Sequence, residues 1–535
     1  MADRSKILVA EEIADSGIDL LREHFDVDVN VGLSAEELTG VIAEYDGILI
    51  RSATTMDEAA IEAATNLKVI GRAGVGVDNV DVAAATRRGI IVANAPQSNI
   101  VTAAEHTVAL MMALARNIPQ AHGALKDGRW ERSKYGGVEV YEKTLGVLGF
   151  GRIGQLVAQR AKGFQMRVLA YDPFVSAERF KELGVDHAET VDQIYAEADF
   201  ITIHLPRNEE TRGFLSTDQF AAMKDGVRII NCARGELIDD AALQVALDSG
   251  KVGGAALDVF SKEPITDHPL FTGYDNVVVT PHLGASTVEA QDRAGVQTAE
   301  QIIAALTGGT VTTAVNLPAI SAEDRDVLGP FVPLCSDLAR IAVELAGGVE
   351  SLEVETLGRI AERDTRPLVT AALMGALAGR TAEPVNEINA ASFAQQRGIE
   401  VREVVTATAN DYTDLVRITA TASGGQPVRV VGTTLGQRNH PHLLEAWGQR
   451  FNLQLEHNLT LVRYRDMPGM LGRIGTEFGT HGVNIVSAAV GRQPSGADGA
   501  EHAAIAITTD SPVPAAALES LLAQDGFEDG RTLSL

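Results

Sequence analysis

Short apolar runs alternate with stretches of helical periodicity through the first 310 or so residues. Residues 6–10, 27–29, 47–50, 68–70 and 90–92 read as strands, with helical patterns between them such as 57–64 and 81–88. That alternation predicts a parallel sheet covered on both faces. Ala95-Pro96 breaks the chain, and Ser98 is placed to cap a long helix over about 99–116, which we take to connect two lobes. Strands then resume at 145–148, 167–171, 200–203, 227–231, 255–259 and 277–280. A long helix at 287–306 follows, and 310–318 is expected to return to the first lobe.

After residue 318 the pattern changes. A helix over 323–346, interrupted at Gly329-Pro330, is followed by strands at 349–357, 399–409, 415–422 and 428–434 and a helix at 368–378. This α+β unit runs to about residue 455. The last 80 residues read strand 459–464, helix 470–478, strands 484–490 and 503–508, helix 515–523, strand 527–533. That order predicts a ferredoxin-like sandwich. The expected division is therefore 1–98 with 310–318, 99–309, 319–455 and 456–535, in an α/β protein whose first two lobes are doubly wound parallel sheets.

Composition narrows the function. A hydrophobic fraction of 45% supports several cores and excludes global disorder. A net charge of −27 argues against nucleic acid or an anionic membrane as partner of the whole surface, while leaving room for local basic pockets. The two cysteines, Cys232 and Cys335, make neither a disulfide framework nor a cysteine-rich metal site, which suits a reducing cytoplasm. No metal is expected. The first ten residues hold too short an apolar run for a signal peptide. The most apolar long stretch, 101–115, contains Glu105 and His106 and is too short for a bilayer.

The chemistry centres on residues 144–154, where an apolar run enters Gly149-x-Gly151-x-x-Gly154 and a helical pattern. A second apolar run ends on Asp172, 21 residues after Gly151. Gly149 permits a tight turn, Gly151 lets the backbone approach a pyrophosphate, and Gly154 lets helix pack on strand. The helix N-terminus offers N–H groups to phosphates. An acidic residue followed by Pro173 and Phe174, with no cation, favours NAD over NADP. Further polar clusters fall just past strands. Arg51 and Arg72, beside glycines, suit an anionic substrate or are solvated charges. The basic stretch 126–134, with Arg129 and Arg132, is either a solvated loop or a source of substrate-binding cation. His282 suits a general base near neutral pH, Glu263 a carboxylate to orient it, and Arg234 a carboxylate anchor.

Asn231-Cys-Ala-Arg-Gly-Glu236, Leu257-Asp-Val-Phe-Ser-Lys-Glu-Pro264 and Thr280-Pro-His-Leu-Gly-Ala285 resemble the D-2-hydroxyacid dehydrogenase family. Ile50-Arg-Ser-Ala-Thr54 and Gly71-Arg-Ala-Gly-Val-Gly-Val-Asp-Asn79 resemble its branch acting on 3-phospho-D-glycerate. The resemblance implies a Rossmann nucleotide-binding domain beside a flavodoxin-like substrate domain. It also implies Arg234, Glu263 and His282 as the catalytic set. The cofactor contacts it implies, beyond the three glycines, are Val75, Arg152, Ile153, Asp172, Leu205, Cys232, Ala233, Arg234, Asp258, His282, Leu283, Gly284 and Ala285. The substrate contacts are Arg51, Ser52, Arg72, Gly74 and Val75. A residue matching Arg132 reaches a neighbouring subunit in some relatives. Cys232 carries no expected catalytic role.

The third unit resembles the intervening domain of long forms of that branch, where Arg438, His440 and Arg450 would form an anion-holding cluster or a solvated loop. The last unit resembles an ACT domain. That resemblance implies an amino-acid site near Tyr464, Asp466 and Asn484 at a subunit interface. A simpler role for Asp466 is to cap the first helix of that unit. The expected ligands are 3-phosphoglycerate and, as regulator, L-serine, in a homo-oligomer, dimer or tetramer. The alternatives are a dehydrogenase for another D-2-hydroxy acid such as 2-hydroxyglutarate, and a non-enzymatic NAD-sensing corepressor of the same fold.

Overall fold

The computed structural model describes residues 4–317, 322–381, 384–409, 411–492 and 502–535. Its first sheet is five parallel strands in the spatial order Asp26–Val29, Lys6–Val9, Gly47–Ile50, Val69–Arg72, Ile91–Asn94. The inner strands are apolar on both faces because helices cover both; Ile7, Leu8, Val9, Ile48, Leu49 and Ile50 are all fully buried. The helices start where the sequence offers acceptors. Asp57 and Asp81 each accept the backbone N–H three residues on, satisfying donors that a helix leaves unpaired.

The second sheet has seven parallel strands, ordered Val277–Val279, Val252–Leu257, Val227–Asn231, Phe200–Ile203, Thr144–Leu148, Arg167–Tyr171, Asp186–His187. Chain order reverses at Thr144–Leu148, the strand that feeds the glycine loop, and at such a switch point a crevice opens beyond the strand ends. The helix Ile100–Ala115 packs under this sheet, with Leu110, Met111 and Leu114 in the same core as Val147 and Ile230. Ser98 does not cap it: its hydroxyl donates to the carbonyl of Ala95, and Asn99 stands at the cap without a side-chain bond.

The return to the first lobe begins earlier than residue 310. The helix Val288–Thr307, capped by Thr287, lays Ala294, Ala299 and Ile302 against Ile7, Val9 and Val69 of the first sheet. Its apolar face matches that sheet, so periodicity named the helix and only packing assigned its lobe. Beyond it, Ala314 bridges Ala93, and Asn316 accepts from Val92 N–H at 2.9 Å. Pro318 lies outside the described residues.

The third unit is a six-stranded mixed sheet backed by the helices Phe331–Ala346 and Arg366–Leu377. Its last hairpin, His440–Ala446 with Gln449–Gln454, was not foreseen as two strands. The register places Arg450 opposite Glu445, at the far end of the hairpin from Arg438 and His440. The expected three-residue cluster is therefore not assembled. The last unit has the spatial order Ile485–Arg492, His502–Thr509, Asn458–Arg465, Phe527–Ser534, all antiparallel, with two helices on one face. This is the ferredoxin-like order. Its other face is not free: Leu459, Leu461, Ala504 and Leu533 share one core with Leu334 and Leu338 of the third unit. No helix among the described residues is long and apolar enough to cross a membrane.

Candidate active site

At the switch point, Gly149 adopts φ +92°, and a Cβ there would sit 2.6 Å from the carbonyl oxygen of His204. A Cβ on Gly154 would meet the carbonyl of Gly149 at 2.3 Å. Both glycines are needed by the turn itself. Gly151 is different: a Cβ there would touch nothing within 4 Å. It is the N-cap of the helix Arg152–Gly163, and no side chain caps that helix. The first N–H groups therefore face open space, and a dinucleotide pyrophosphate fits them. Asp172 accepts Phe150 N–H at 2.8 Å and Phe174 N–H at 2.9 Å, so its carboxylate is fixed at the end of the neighbouring strand, where an adenosine ribose would lie. The residues present thus fit NAD.

Between the lobes lies a cleft of about 950 Å³ lined by Arg51, Arg72, Asp78, Arg234, Glu263 and His282, among others. Nδ1 of His282 is 2.5 Å from Oε2 of Glu263, whose other oxygen accepts Phe260 N–H at 2.8 Å. Partial burial would raise the Glu263 pKa, but the bonds from His282 and Phe260 outweigh it and hold the carboxyl below its usual range. Its charge then selects the imidazole tautomer with the proton on Nδ1, leaving Nε2 as the acceptor.

His282 sits at φ +55°, in the left-handed region, and Asp258 explains how it stays there. The Asp258 backbone carbonyl accepts His282 N–H at 2.8 Å. Its fully buried carboxylate accepts Leu283 N–H at 2.7 Å, Gly284 N–H at 2.8 Å and the Thr280 hydroxyl at 2.6 Å, with His106 Nε2 at 3.1 Å. Burial would raise the Asp258 pKa; the bonds from His106, Thr280 and Leu283 more than offset it and lower it. One carboxylate thus fixes the whole 280–284 loop. His106 and Thr280 were not anticipated as site residues. The only sequence signal for His106 was a polar residue within an apolar helix.

The substrate side is built around cations. Arg72 is largely buried, its Nε has no hydrogen-bond partner among the described residues, and burial followed by the charge of Arg234 lowers its pKa. The loop carrying Arg51 is shaped by Glu11, which accepts N–H groups of Arg51, Ala53 and Thr54, and by Asn79, whose amide donates to the carbonyls of Arg51 and Thr54. Glu11 was missed because nothing local marks it; it comes from the first strand's end, 40 residues from Arg51. Ser52, Gly74 and Val75 line the same cleft, as do Ala285 and His282 from the other lobe. Ala233 N–H is held by the side chain of Asn231, which also donates to the Arg234 carbonyl, so the Cys232–Arg234 turn is rigid. Burial pushes the Cys232 thiol up to about 12, which leaves no thiolate for chemistry. Leu205 follows the strand end at His204, against Gly149.

In the last unit Tyr464 is buried, 6.1 Å from Phe527, rather than open to a ligand. Asp466 pairs with Arg492 at 3.0 Å and is not a helix cap; Gly469 holds that position. Asn484 is exposed, and its N–H is bound by Asp510.

Family models match three segments of the chain. They are the NAD binding domain of D-isomer specific 2-hydroxyacid dehydrogenases at residues 108–284, the D-3-phosphoglycerate dehydrogenase intervening domain at 327–445, and the ACT domain at 459–526. The chain is 42% identical over 533 residues to a D-3-phosphoglycerate dehydrogenase of Synechocystis, covering 99% of this chain and 95% of that protein. It is 41% identical over 533 residues to one of Archaeoglobus fulgidus, covering 99% of this chain and all of that protein. Among solved structures it is similar to a glyoxylate reductase from Paecilomyes thermophila, with 29% identity and TM-score 0.54 over 59% of this chain and 99% of that one. It is also similar to D-lactate dehydrogenase from Escherichia coli, with 29% identity and TM-score 0.53 over 58% of this chain and 99% of that one. With an uncapped helix N-terminus for a dinucleotide, a Glu-supported imidazole in the cleft and relatives matched along nearly its whole length, this chain belongs to the D-3-phosphoglycerate dehydrogenase family of NAD-dependent D-2-hydroxyacid dehydrogenases.

Proposed function

We propose that the chain oxidises 3-phospho-D-glycerate to 3-phosphohydroxypyruvate, the step that opens L-serine synthesis, and that L-serine inhibits it through the ACT domain. The observation that carries the substrate is the convergence of Arg51, Arg72 and Arg234 on the cleft that holds His282. A small acid with a carboxylate at one end and a phosphate at the other needs that many cations, and a buried guanidinium nitrogen with no partner among the described residues, such as Arg72 Nε, is costly unless an anion meets the group.

In this reading Arg234 binds the carboxylate and polarises the C2 oxygen, while Arg51 and Arg72 hold the phosphate with Ser52 and the Gly74-Val75 backbone. Nε2 of His282 takes the hydroxyl proton, and Glu263 stabilises the imidazolium that results. A bound NAD would supply the acceptor for the C2 hydride. The N–H groups of Arg152 and Ile153 would hold its pyrophosphate, and Asp172 would take the ribose hydroxyls. Loop 280–285 and the Cys232-Ala233 turn, with Val75 and Leu205, would line the nicotinamide end. Regulation is assigned to Asp466 and Asn484, where an ammonium group can compete for the Asp466 carboxylate now paired with Arg492. Such a site at an interface goes with a homo-oligomer.

The deciding experiment is NADH formation with 3-phosphoglycerate, with and without L-serine, beside D-glycerate, D-lactate and D-2-hydroxyglutarate. The proposal requires 3-phosphoglycerate to have the highest kcat/KM and serine to lower its rate. Preference for an unphosphorylated acid would assign another substrate, and NAD binding without turnover would indicate a sensor.

A further inference from the structure

We propose that Arg207 is a positioning residue of the dehydrogenase site: it holds Asp78 away from Arg234, so that Arg234 stays available to the substrate carboxylate. The inference rests on Arg234 being the carboxylate anchor.

Four charged groups run in a chain across the cleft mouth. Asp78 comes from the glycine-rich loop of the first lobe, and Arg207, Arg234 and Glu236 from the dinucleotide lobe. Nη2 of Arg207 donates to Oδ1 of Asp78 at 2.6 Å, whereas Nε of Arg234 stands 3.5 Å from the other oxygen. The carboxylate is therefore drawn to Arg207 and only grazes Arg234. Arg207 is kept in place by its second arm, where Nη1 donates to Glu236 at 2.8 Å. Glu236 is mostly buried, on the short helical turn that follows Arg234. Arg234 itself has little freedom. Its Nη1 donates to the Ala233 carbonyl at 2.7 Å. Its Nη2 lies against Gly76, where a Cβ would be 2.4 Å away. A fixed guanidinium beside a carboxylate binds that carboxylate in preference to a ligand unless something else engages it, since attraction rises as separation falls. Removing the charge at 207 leaves Arg234 as the cation within ion-pair distance of Asp78, with Arg72 also in its field, and the substrate must then displace an internal anion.

The test is a double-mutant cycle in the full-length chain, read by initial rates with 3-phosphoglycerate and NAD. Arg207→Met should raise KM for the hydroxy acid by about tenfold, with kcat and KM for NAD within about twofold. Asp78→Asn alone should change KM for the acid by less than Arg207→Met does, because it removes the competing anion together with its holder's task. The double variant should recover most of the KM lost by Arg207→Met, which a merely structural role for Arg207 would not produce. Arg207→Lys should fall between. If Arg207→Met does not fold, Arg207→Gln gives the same comparison. A double variant no better than Arg207→Met, or a loss falling on kcat or on NAD, overturns the inference. Arg234→Met separates the two readings: an unchanged KM for the acid would sink the anchor role and the inference together. A raised KM without rescue in the double variant would sink the inference alone.

Discussion

The Glu263 carboxylate lies 2.5 Å from Nδ1 of His282, across 19 residues of sequence and between two different strand-end loops. Neither loop alone would orient the imidazole. The pair exists because Asp258 pins one loop and the Phe260 N–H pins Glu263 in the other. Replacing His282 with Asn should lower kcat by about two orders of magnitude or more, as expected for loss of a general base. NAD binding, followed by quenching of protein fluorescence, should survive. An active Asn variant would remove His282 from the mechanism.

The three glycines of the dinucleotide loop should respond differently to alanine. Gly154→Ala places a methyl 2.3 Å from a backbone oxygen and should cost about 2–3 kcal/mol of stability. Gly151→Ala meets nothing within 4 Å among the described residues, so its melting temperature should hold while KM for NAD rises about tenfold or more. Thermal melts beside NAD titrations separate the two, and a normal KM in Gly151→Ala would mean that the pyrophosphate lies elsewhere.

Arg72→Leu should discriminate by substrate. The Arg72 Nε has no hydrogen-bond partner among the described residues and its side chain is largely buried, which suits an anion at this guanidinium. Its loss should reduce kcat/KM for 3-phosphoglycerate about a hundredfold and that for D-glycerate much less, since a charge-assisted bond to phosphate is lost in only one of them. Equal losses would place Arg72 at the carboxylate instead.

Asp258 makes stability depend on pH in a stated direction. Its folded pKa is below the ordinary value, so the stability it contributes is fully present above about pH 4 and is lost as pH falls through the folded pKa. Asp258→Asn should be less stable at neutral pH by about 2 kcal/mol. Its melting temperature should also fall less than the parent's on acidification, because the linkage has been removed. Parallel slopes would show that this carboxylate is not the titrating group.

Asp466→Ala should weaken L-serine inhibition several-fold while basal turnover stays at the parent level, because the residue is in the last unit and its ion pair among the described residues is with Arg492 of that same unit. Inhibition by serine at the parent concentration in this variant would move the regulatory site away from Asp466.

The α/β alternation, the glycine triplet with Asp172, and the order of elements in the last unit were legible from sequence because each is a local pattern. Apolar periodicity reports which face of an element is buried, and a tight turn needs its glycine within a few residues. The catalytic candidates were legible because chemistry restricts residue type at strand ends. What no local pattern contains is which surface an element meets. The helix Val288–Thr307 has the right period for either lobe, and only its fit to Ile7, Val9 and Val69 decides. The distance between Arg438 and Arg450 depends on a hairpin register, and Ser98 loses its capping role to a bond with Ala95. Glu11 and His106 support the site loops, and Asp78 and Arg207 line the cleft, from sequence positions that no local pattern marks; there a residue's role is set by charge and distance to partners that folding supplies.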